Sequence, residues 1–238
     1  MGKKKLGIVG GMGAVAAAYF FKRLVELTPA TTDQEYIETF LHNNSAVPDR
    51  TKGILYGGPS PLPELQRSVA ILDSMGADIL LFACMTSHYF IPELRKSARA
   101  EIVDGIAATV EHILGRAPSV RKVGVLASSG ALGAGLFQRE LEKIGVQPVT
   151  LSAGDQETYF MEPIYKEWGI KAGHYTGEPR ERFLRAVELL LAAGAEAVIA
   201  GCSEVPLVLR QADLSVPLYD AIDIMLLKAI GLCLGRPV

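Results

Sequence analysis

Cys84 closes the stretch Gly76-Ala77-Asp78-Ile79-Leu80-Leu81-Phe82-Ala83-Cys84-Met85-Thr86. Cys202 sits in a near-copy, Gly194-Ala195-Glu196-Ala197-Val198-Ile199-Ala200-Gly201-Cys202-Ser203-Glu204. The cysteines are 118 positions apart (202 − 84), and the two segments align without a gap. Each is a small-residue turn, an acidic residue, an apolar run, then Cys followed by short or polar groups. An unbroken apolar run of this length reads as a buried parallel strand, so each thiol falls at a strand's carboxyl end, where open α/β sheets bind ligands. Two thiols facing one cleft can serve as a matched acid and base. The residues that follow, Met85-Thr86-Ser87-His88 and Ser203-Glu204-Val205-Pro206, read as helix starts, with Pro206 suited to a first turn. A helix N-terminus favours negative charge and lowers a thiol pKa, so thiolate character is expected at both positions. Thr86 and Ser203 add hydroxyls beside freed backbone N–H groups, which together can cradle a carboxylate.

The elements that must hold these thiols also repeat. Leu6-Gly7-Ile8-Val9-Gly10-Gly11-Met12-Gly13 corresponds to Val123-Gly124-Val125-Leu126-Ala127-Ser128-Ser129-Gly130, and Pro61, Arg67, Val69 and Leu72 correspond to Pro179, Arg185, Val187 and Leu190. A repeat of this length means two copies of a βα-type domain. Strands are expected over 5–9, 36–42, 78–83, 122–126, 147–151 and 196–200. Helices are expected over 14–27, 63–75, 105–114, 132–144, 180–193 and 221–234. The alternation predicts an α/β fold with parallel sheets flanked by helices, one for each copy of the repeat. Gly115-Arg116-Ala117-Pro118-Ser119 marks a boundary, and a second crossing is expected near 211–217. Residues 1–115 with 212–238 then form the first domain, carrying Cys84, and 116–211 the second, carrying Cys202. The repeat ends before the last helix on this reading. Two long stretches, 43–61 and 161–178, read as functional loops.

Composition narrows the field. The chain has 238 residues, 49% hydrophobic and 21% charged, as an ordinary globular protein has. A net charge of −2 and no basic stripe argue against a nucleic-acid partner. No segment approaches the roughly 18 uninterrupted apolar residues of a membrane span. Lys3-Lys4-Lys5 imitates the start of a signal peptide, but Gly7, Gly10, Gly11 and Gly13 break the run that follows, so the cytoplasm is the expected compartment. Three cysteines suit reduced thiols better than a disulfide framework. Cys233, in Ile230-Gly231-Leu232-Cys233-Leu234, reads as packing.

Rival chemistries meet specific obstacles. Gly11-Met12-Gly13-Ala14-Val15-Ala16 fits G-x-G-x-x-A, yet the second strand runs into His42-Asn43-Asn44 instead of an acidic residue, and no Lys-Ser/Thr completes a phosphate loop. No nucleotide is expected; the loop suits backbone amides approaching a small anion. Cys84 and His88 have i, i+4 spacing and Cys202 and His42 could join them, but no Cys-x-x-Cys or His-Glu-x-x-His is present, so no metal is expected. A Cys–His nucleophile using His88, His42 or His174 leaves the second cysteine unexplained. Arg50, in the long loop after the second strand, can grip a carboxylate with a bidentate fork or merely pair with Asp49. Lys171 sits in the corresponding loop of the second half.

These residues together resemble the cofactor-independent aspartate/glutamate racemases, closest to the aspartate racemase branch. The resemblance runs nearly end to end. It lies in Gly10-Gly11-Met12-Gly13, Asn43-Asn44 through Pro48-Asp49-Arg50-Thr51, Gly57-Gly58-Pro59-Ser60-Pro61, Cys84 with Thr86 and His88-Tyr89, Ile170-Lys171-Ala172-Gly173, and Gly201-Cys202-Ser203-Glu204-Val205-Pro206. It implies two pseudo-symmetric α/β domains with the active site in the cleft between them, Cys84 and Cys202 as the acid/base pair, and Arg50 and Lys171 as binders of a side-chain carboxylate. Substrate contacts are expected also at Met12, Asn44, Met85, Thr86, Ser203 and Glu204. It implies no cofactor, a small amino-acid substrate, aspartate or glutamate, and a homodimer. Three positions depart from the pattern: Met85 stands where the family has Asn, Ser203 where it has Thr, and Ala14 where it has Pro. Met85 is expected to face the cleft and make it more apolar, which allows an altered or broader amino-acid specificity. A non-catalytic binder of small acidic metabolites is the alternative from another class.

Overall fold

The computed structural model describes residues 2–236. The first half runs β1 (Leu6–Gly10), α1 (Ala14–Leu27), β2 (Thr39–Asn43), α2 (Arg50–Leu55), α3 (Leu62–Ser74), β3 (Ile79–Phe82), a 3-10 turn (Met85–Phe90), α4 (Ile91–Leu94), β4 (Glu101–Ile102) and α5 (Gly105–Arg116). The second runs β5 (Lys122–Leu126), α6 (Ser129–Gly133), α7 (Leu136–Lys143), β6 (Gln147–Val149), α8 (Ala153–Gln156), α9 (Glu162–Tyr165), a 3-10 turn (Ile170–Ala172), α10 (Glu178–Ala192), β7 (Ala197–Ala200), α11 (Val205–Val208), β8 (Leu218–Asp220) and α12 (Ala221–Leu234). Each half forms a four-stranded parallel sheet, in the orders β2-β1-β3-β4 and β6-β5-β7-β8. The order is the same in both, as the repeat requires. β1, β3 and β7 are buried along their whole length, which is why their sequences are continuous apolar runs with no alternation.

One core joins the two sheets. Leu6, Ile8 and Ile79 of the first sheet and Val123, Val125 and Ile199 of the second bury against a shared layer of helices, with Phe20 from α1, Ile106 from α5, Phe137 from α7 and Leu226 from α12. Smaller cores lie on the outer faces, under α3 in the first half and under α10 in the second. The shared layer is exchanged. α12, last element of the second half, packs on α1 and α5, while α5, last element of the first, packs on α12 and α7. Both begin alike. Asp104 caps α5 by accepting from the Ile106 and Ala107 amides, and Asp220 caps α12 by accepting from those of Ile222 and Asp223. The repeat therefore continues through the final helix, contrary to expectation. The grouping of 212–238 with the first half is divided by this geometry: β8 pairs with β7 in the second sheet, and α12 lies on the first half's helices.

The expected helix over 132–144 is two helices, because Gly135 between α6 and α7 takes a left-handed conformation with φ 63°. The long loop over 43–61 contains α2, and that over 161–178 contains α9 and a 3-10 turn. β4 and β8 are too short to leave a pattern in the sequence.

Candidate active site

Strand β3 delivers Cys84 to the cleft and the 3-10 turn holds it. Its carbonyl oxygen accepts three hydrogen bonds: from the Ser87 amide at 3.1 Å, from Ser87 Oγ at 2.6 Å and from His88 Nδ1 at 3.2 Å. A carbonyl only accepts, so Nδ1 carries the imidazole proton. Burial pushes the His88 pKa down, which keeps the ring neutral. His88 therefore fixes the backbone of Cys84 and is not placed as its base.

Arg50 opens α2, whose N-cap is Asp49 accepting from the Lys52 amide. The Arg50 guanidinium is buried and donates from Nη2 to the Met12 carbonyl at 2.9 Å and from Nη1 to the Pro48 carbonyl at 3.1 Å. Nε has no partner in the protein. Burial opposes its charge, but Cys84, Tyr165 and Asp49 outweigh burial and hold its pKa above the usual value. Cys84 also lies within hydrogen-bonding reach of the guanidinium. Arg50 thus places a positive charge beside Cys84, with a donor left for a ligand.

Strand β7 delivers Cys202, and its surroundings are of opposite sign. The Cys202 thiol donates to Glu204 Oε2 at 3.0 Å, and Ser203 Oγ donates to the same oxygen at 3.0 Å. Burial, then the Glu204 carboxylate, push the Cys202 pKa well above that of a free thiol. Thiolate character, expected at both cysteines, does not hold for Cys202. The helix after Cys202 is the four-residue α11, and a carboxylate in contact outweighs so short a dipole. The cysteines are 6% and 8% exposed, and Cys84 lies close enough to Cys202 to add to its upward shift.

Other residues close the cleft from both halves. Thr86 Oγ1 lies 2.6 Å from Ser128 Oγ of the second half, and Ser128 caps α6. Lys171 lies with its ammonium 4.5 Å from the centroid of the Tyr165 ring, and with Gly13 and Glu204 it walls a cavity of about 200 Å³. Tyr165 was not singled out from the sequence. Its hydroxyl donates to Asp49 Oδ2 at 3.2 Å, tying α9 of the second half to the cap of the helix that carries Arg50. Burial and then Asp49 raise the tyrosine pKa, so the hydroxyl keeps its proton. The only trace of this in the sequence is that Asp49 precedes Arg50 and Tyr165 lies in the second long loop.

Three expected contacts change character. Met85 does not face the cleft. It is buried in the shared core, and a Cβ at Gly105 would stand 3.0 Å from its Cε and 2.6 Å from Met225 Sδ. The first residue of a 3-10 turn need not share the direction of the cysteine before it, and here the apolar side chain turns under α5. Met85→Asn is accordingly expected to bury an unpaired amide, costing about 1–3 kcal/mol, with a lower thermal midpoint and no gain in turnover. Asn44 has a fully occupied side chain: Nδ2 donates to Glu64 and Ser68, and Oδ1 accepts from the Ala46 amide and Arg67. It anchors the end of β2 to α3. The Met12 side chain lies in the outer core of the first half, and its carbonyl holds Arg50. Among the described residues no three His, Cys, Asp or Glu side chains converge as a metal site, and no helix is long and apolar enough to cross a membrane.

The chain is similar to known proteins over nearly its whole length. A glutamate racemase of Carboxydothermus hydrogenoformans is 26% identical over 227 residues, covering 94% of this chain and 77% of that protein. The Picrophilus torridus aspartate racemase superposes with a TM-score of 0.83 at 22% identity, over 96% of this chain and 94% of that one. An aspartate racemase homologue from Pyrococcus horikoshii superposes with a TM-score of 0.76 at 25% identity, over 97% and 99%. The two-sheet architecture is common to these structures. Residues 9–229 match the model of the Asp/Glu/hydantoin racemase family, a span that takes in both cysteines and every strand but the start of β1, and the chain belongs to that family.

Proposed function

We propose that this protein is a racemase of an acidic amino acid, aspartate or glutamate, working through Cys84 and Cys202 without pyridoxal phosphate, metal or nucleotide. The observation that carries the reading is the pairing of equivalent thiols with opposite electrostatic partners. Cys84 has a buried guanidinium beside it and Cys202 has a buried carboxylate. The carboxylate holds the Cys202 proton, and the guanidinium offsets the negative charge that Cys84 carries when it acts as base. Cys84 takes the α-proton from one face, Cys202 gives a proton to the other, and the roles reverse for the other enantiomer. The carbanion-like state that develops needs fixed donors in place of water. Thr86, which follows Cys84 in the chain by two residues, and Ser203, next to Cys202, are the nearest hydroxyls in sequence, and both cysteines are buried. Arg50, with its free Nε, and Lys171 are suited to the distal carboxylate.

The test is solvent-deuterium incorporation at the α-carbon of L- and D-aspartate and of L- and D-glutamate. Deuterium should enter the product enantiomer of one of these pairs. If neither amino acid exchanges its α-proton, the reading is wrong.

Family resemblance also implies association of two copies. Val15, Phe21 and Val25 of α1 and Leu41 of β2 are exposed apolar side chains that such an association could cover. All three cysteines are unpaired, which suits a reducing compartment such as the cytoplasm.

A further inference from the structure

His88 holds the Cys84 carbonyl, and it also walls a second cavity, of about 220 Å³, between the segment that follows Cys84 and α7 of the other half. His88 is 5% exposed, its Nδ1 is spent on that carbonyl, and its Nε2 has no partner in the protein. With the proton on Nδ1, Nε2 is an acceptor. It lies against Gly105, where a Cβ would stand 3.1 Å away, between Asp104 and Ile106 of the cavity wall. Asp104 spends Oδ1 on capping α5, which leaves Oδ2 open. The same wall carries two guanidiniums, Arg95 just past α4 and Arg139 on α7. Arg95 donates to the Ile102 carbonyl at 3.2 Å. Neither arginine joins an ion pair among the described residues. Glu140, the remaining charge on the wall, is engaged by Lys143.

The repeat shows why these charges are unspent. A matching cavity of about 370 Å³ lies between α1 and the start of α12. Lys22 and Arg23 of α1 stand there where α7 has Arg139 and Glu140, and Asp220 stands where α5 has Asp104, an offset of 116 (220 − 104). In that cavity Asp223 closes off the guanidinium, accepting from Arg23 Nε at 2.9 Å and Nη2 at 2.6 Å. At the same offset the counterpart of Asp223 is Ala107, so the cavity behind Cys84 has no internal carboxylate in that place.

We propose that the cavity behind Cys84 is a second binding site, separate from the cleft, for a free acidic amino acid whose carboxylates bridge Arg95 of one half and Arg139 of the other. Its ammonium is received by Asp104 and His88, and its short methylene stem lies on Ile106 and Leu136. A ligand with two anions and one cation meets two guanidiniums and two open acceptors, which neither phosphate nor a plain dicarboxylate does. Because the two arginines belong to different halves, the occupant ties the halves together beside the cleft and opposes the opening that admits substrate. This kinetic consequence rests on the racemase reading above; the binding does not.

Calorimetric titration of Cys84→Ser, in which racemisation is blocked, with the L and D forms of aspartate and glutamate should show two sites per chain for at least one of them. Arg139→Ala, made in that background at an exposed residue outside the cleft, should weaken one site by about 10-fold or more and spare the other. Asp104→Asn keeps the cap of α5 and removes the charge. It should weaken the same site for the amino acid and leave unchanged the binding there of succinate, which has the carboxylates without the ammonium. With both cysteines present, racemisation should decline at concentrations that fill the second site, whereas Arg139→Ala should follow simple saturation with an unchanged rate at low substrate. One site per chain, or a second site indifferent to both variants, overturns the proposal. Succinate binding at that site as tightly as the amino acid overturns the ammonium's part in it, and equal saturation in wild type and variant overturns the tie between the halves. A wild type that racemises neither amino acid while both sites are filled overturns the racemase reading alone.

Discussion

Cys84→Ser and Cys202→Ser are each expected to abolish net racemisation in both directions. A serine hydroxyl ionises far above the working pH and cannot replace a thiolate base, and loss of a positioned acid or base costs about 10²–10⁴-fold. The two variants should nevertheless differ. With Cys202 replaced, Cys84 and its guanidinium partner remain, so one enantiomer should still exchange its α-proton with deuterium without inverting. With Cys84 replaced, Cys202 remains beside Glu204, and exchange should persist for the opposite enantiomer. Proton NMR of each enantiomer in deuterated solvent separates exchange from inversion. Near wild-type rates in both directions from either variant would show that the two-thiol mechanism is wrong.

Arg50→Ala should be the next most damaging change. Its guanidinium is buried, spans the Met12 and Pro48 carbonyls and keeps Nε free. Removing a buried, hydrogen-bonded charge partner costs about 2–5 kcal/mol of ligand binding. Here the loss is compounded, because Cys84 loses the positive charge that supports it as base. KM for the acidic substrate should rise and kcat should fall together. Arg50→Lys is not expected to recover either, since an ammonium cannot hold two carbonyls in the geometry of a planar fork. The wild type should strongly prefer aspartate or glutamate over alanine; equal turnover of alanine would remove this role from Arg50.

The positions of the reacting groups were legible because they sit at the ends of buried strands. A run such as Ile79–Phe82 admits one placement, and its near-copy at Ala197–Ala200 fixes the second by symmetry. Side-chain direction beyond the strand end was not legible. Met85 and Thr86 are neighbours in one 3-10 turn, yet Met85 enters the shared core and Thr86 meets Ser128 across the cleft. That choice depends on turn geometry and on the space left by Gly105, neither of which has a local signature. The inequality of the thiols was hidden for a related reason. Ser203-Glu204 reads as a polar helix start, and only the fold shows the carboxylate turned back onto Cys202. Tyr165 escaped because its partner, Asp49, is 116 positions away.

The exchanged helices have a consequence for how the chain comes apart. A cut in the connection after α5 would free neither half cleanly, since α5 would lose its neighbours α7 and α12, and α1 would lose α12. Each fragment would expose one face of the shared apolar layer, including Phe20 and Ile106 on one side and Phe137 and Leu226 on the other. Two lobes that look separable in sequence are thus locked like clasped hands. The molecule should melt in one cooperative step instead of two, and neither lobe should be soluble alone. The clasp also limits how the cleft can open, since parting the lobes would break the α5–α12 contact and expose the shared core.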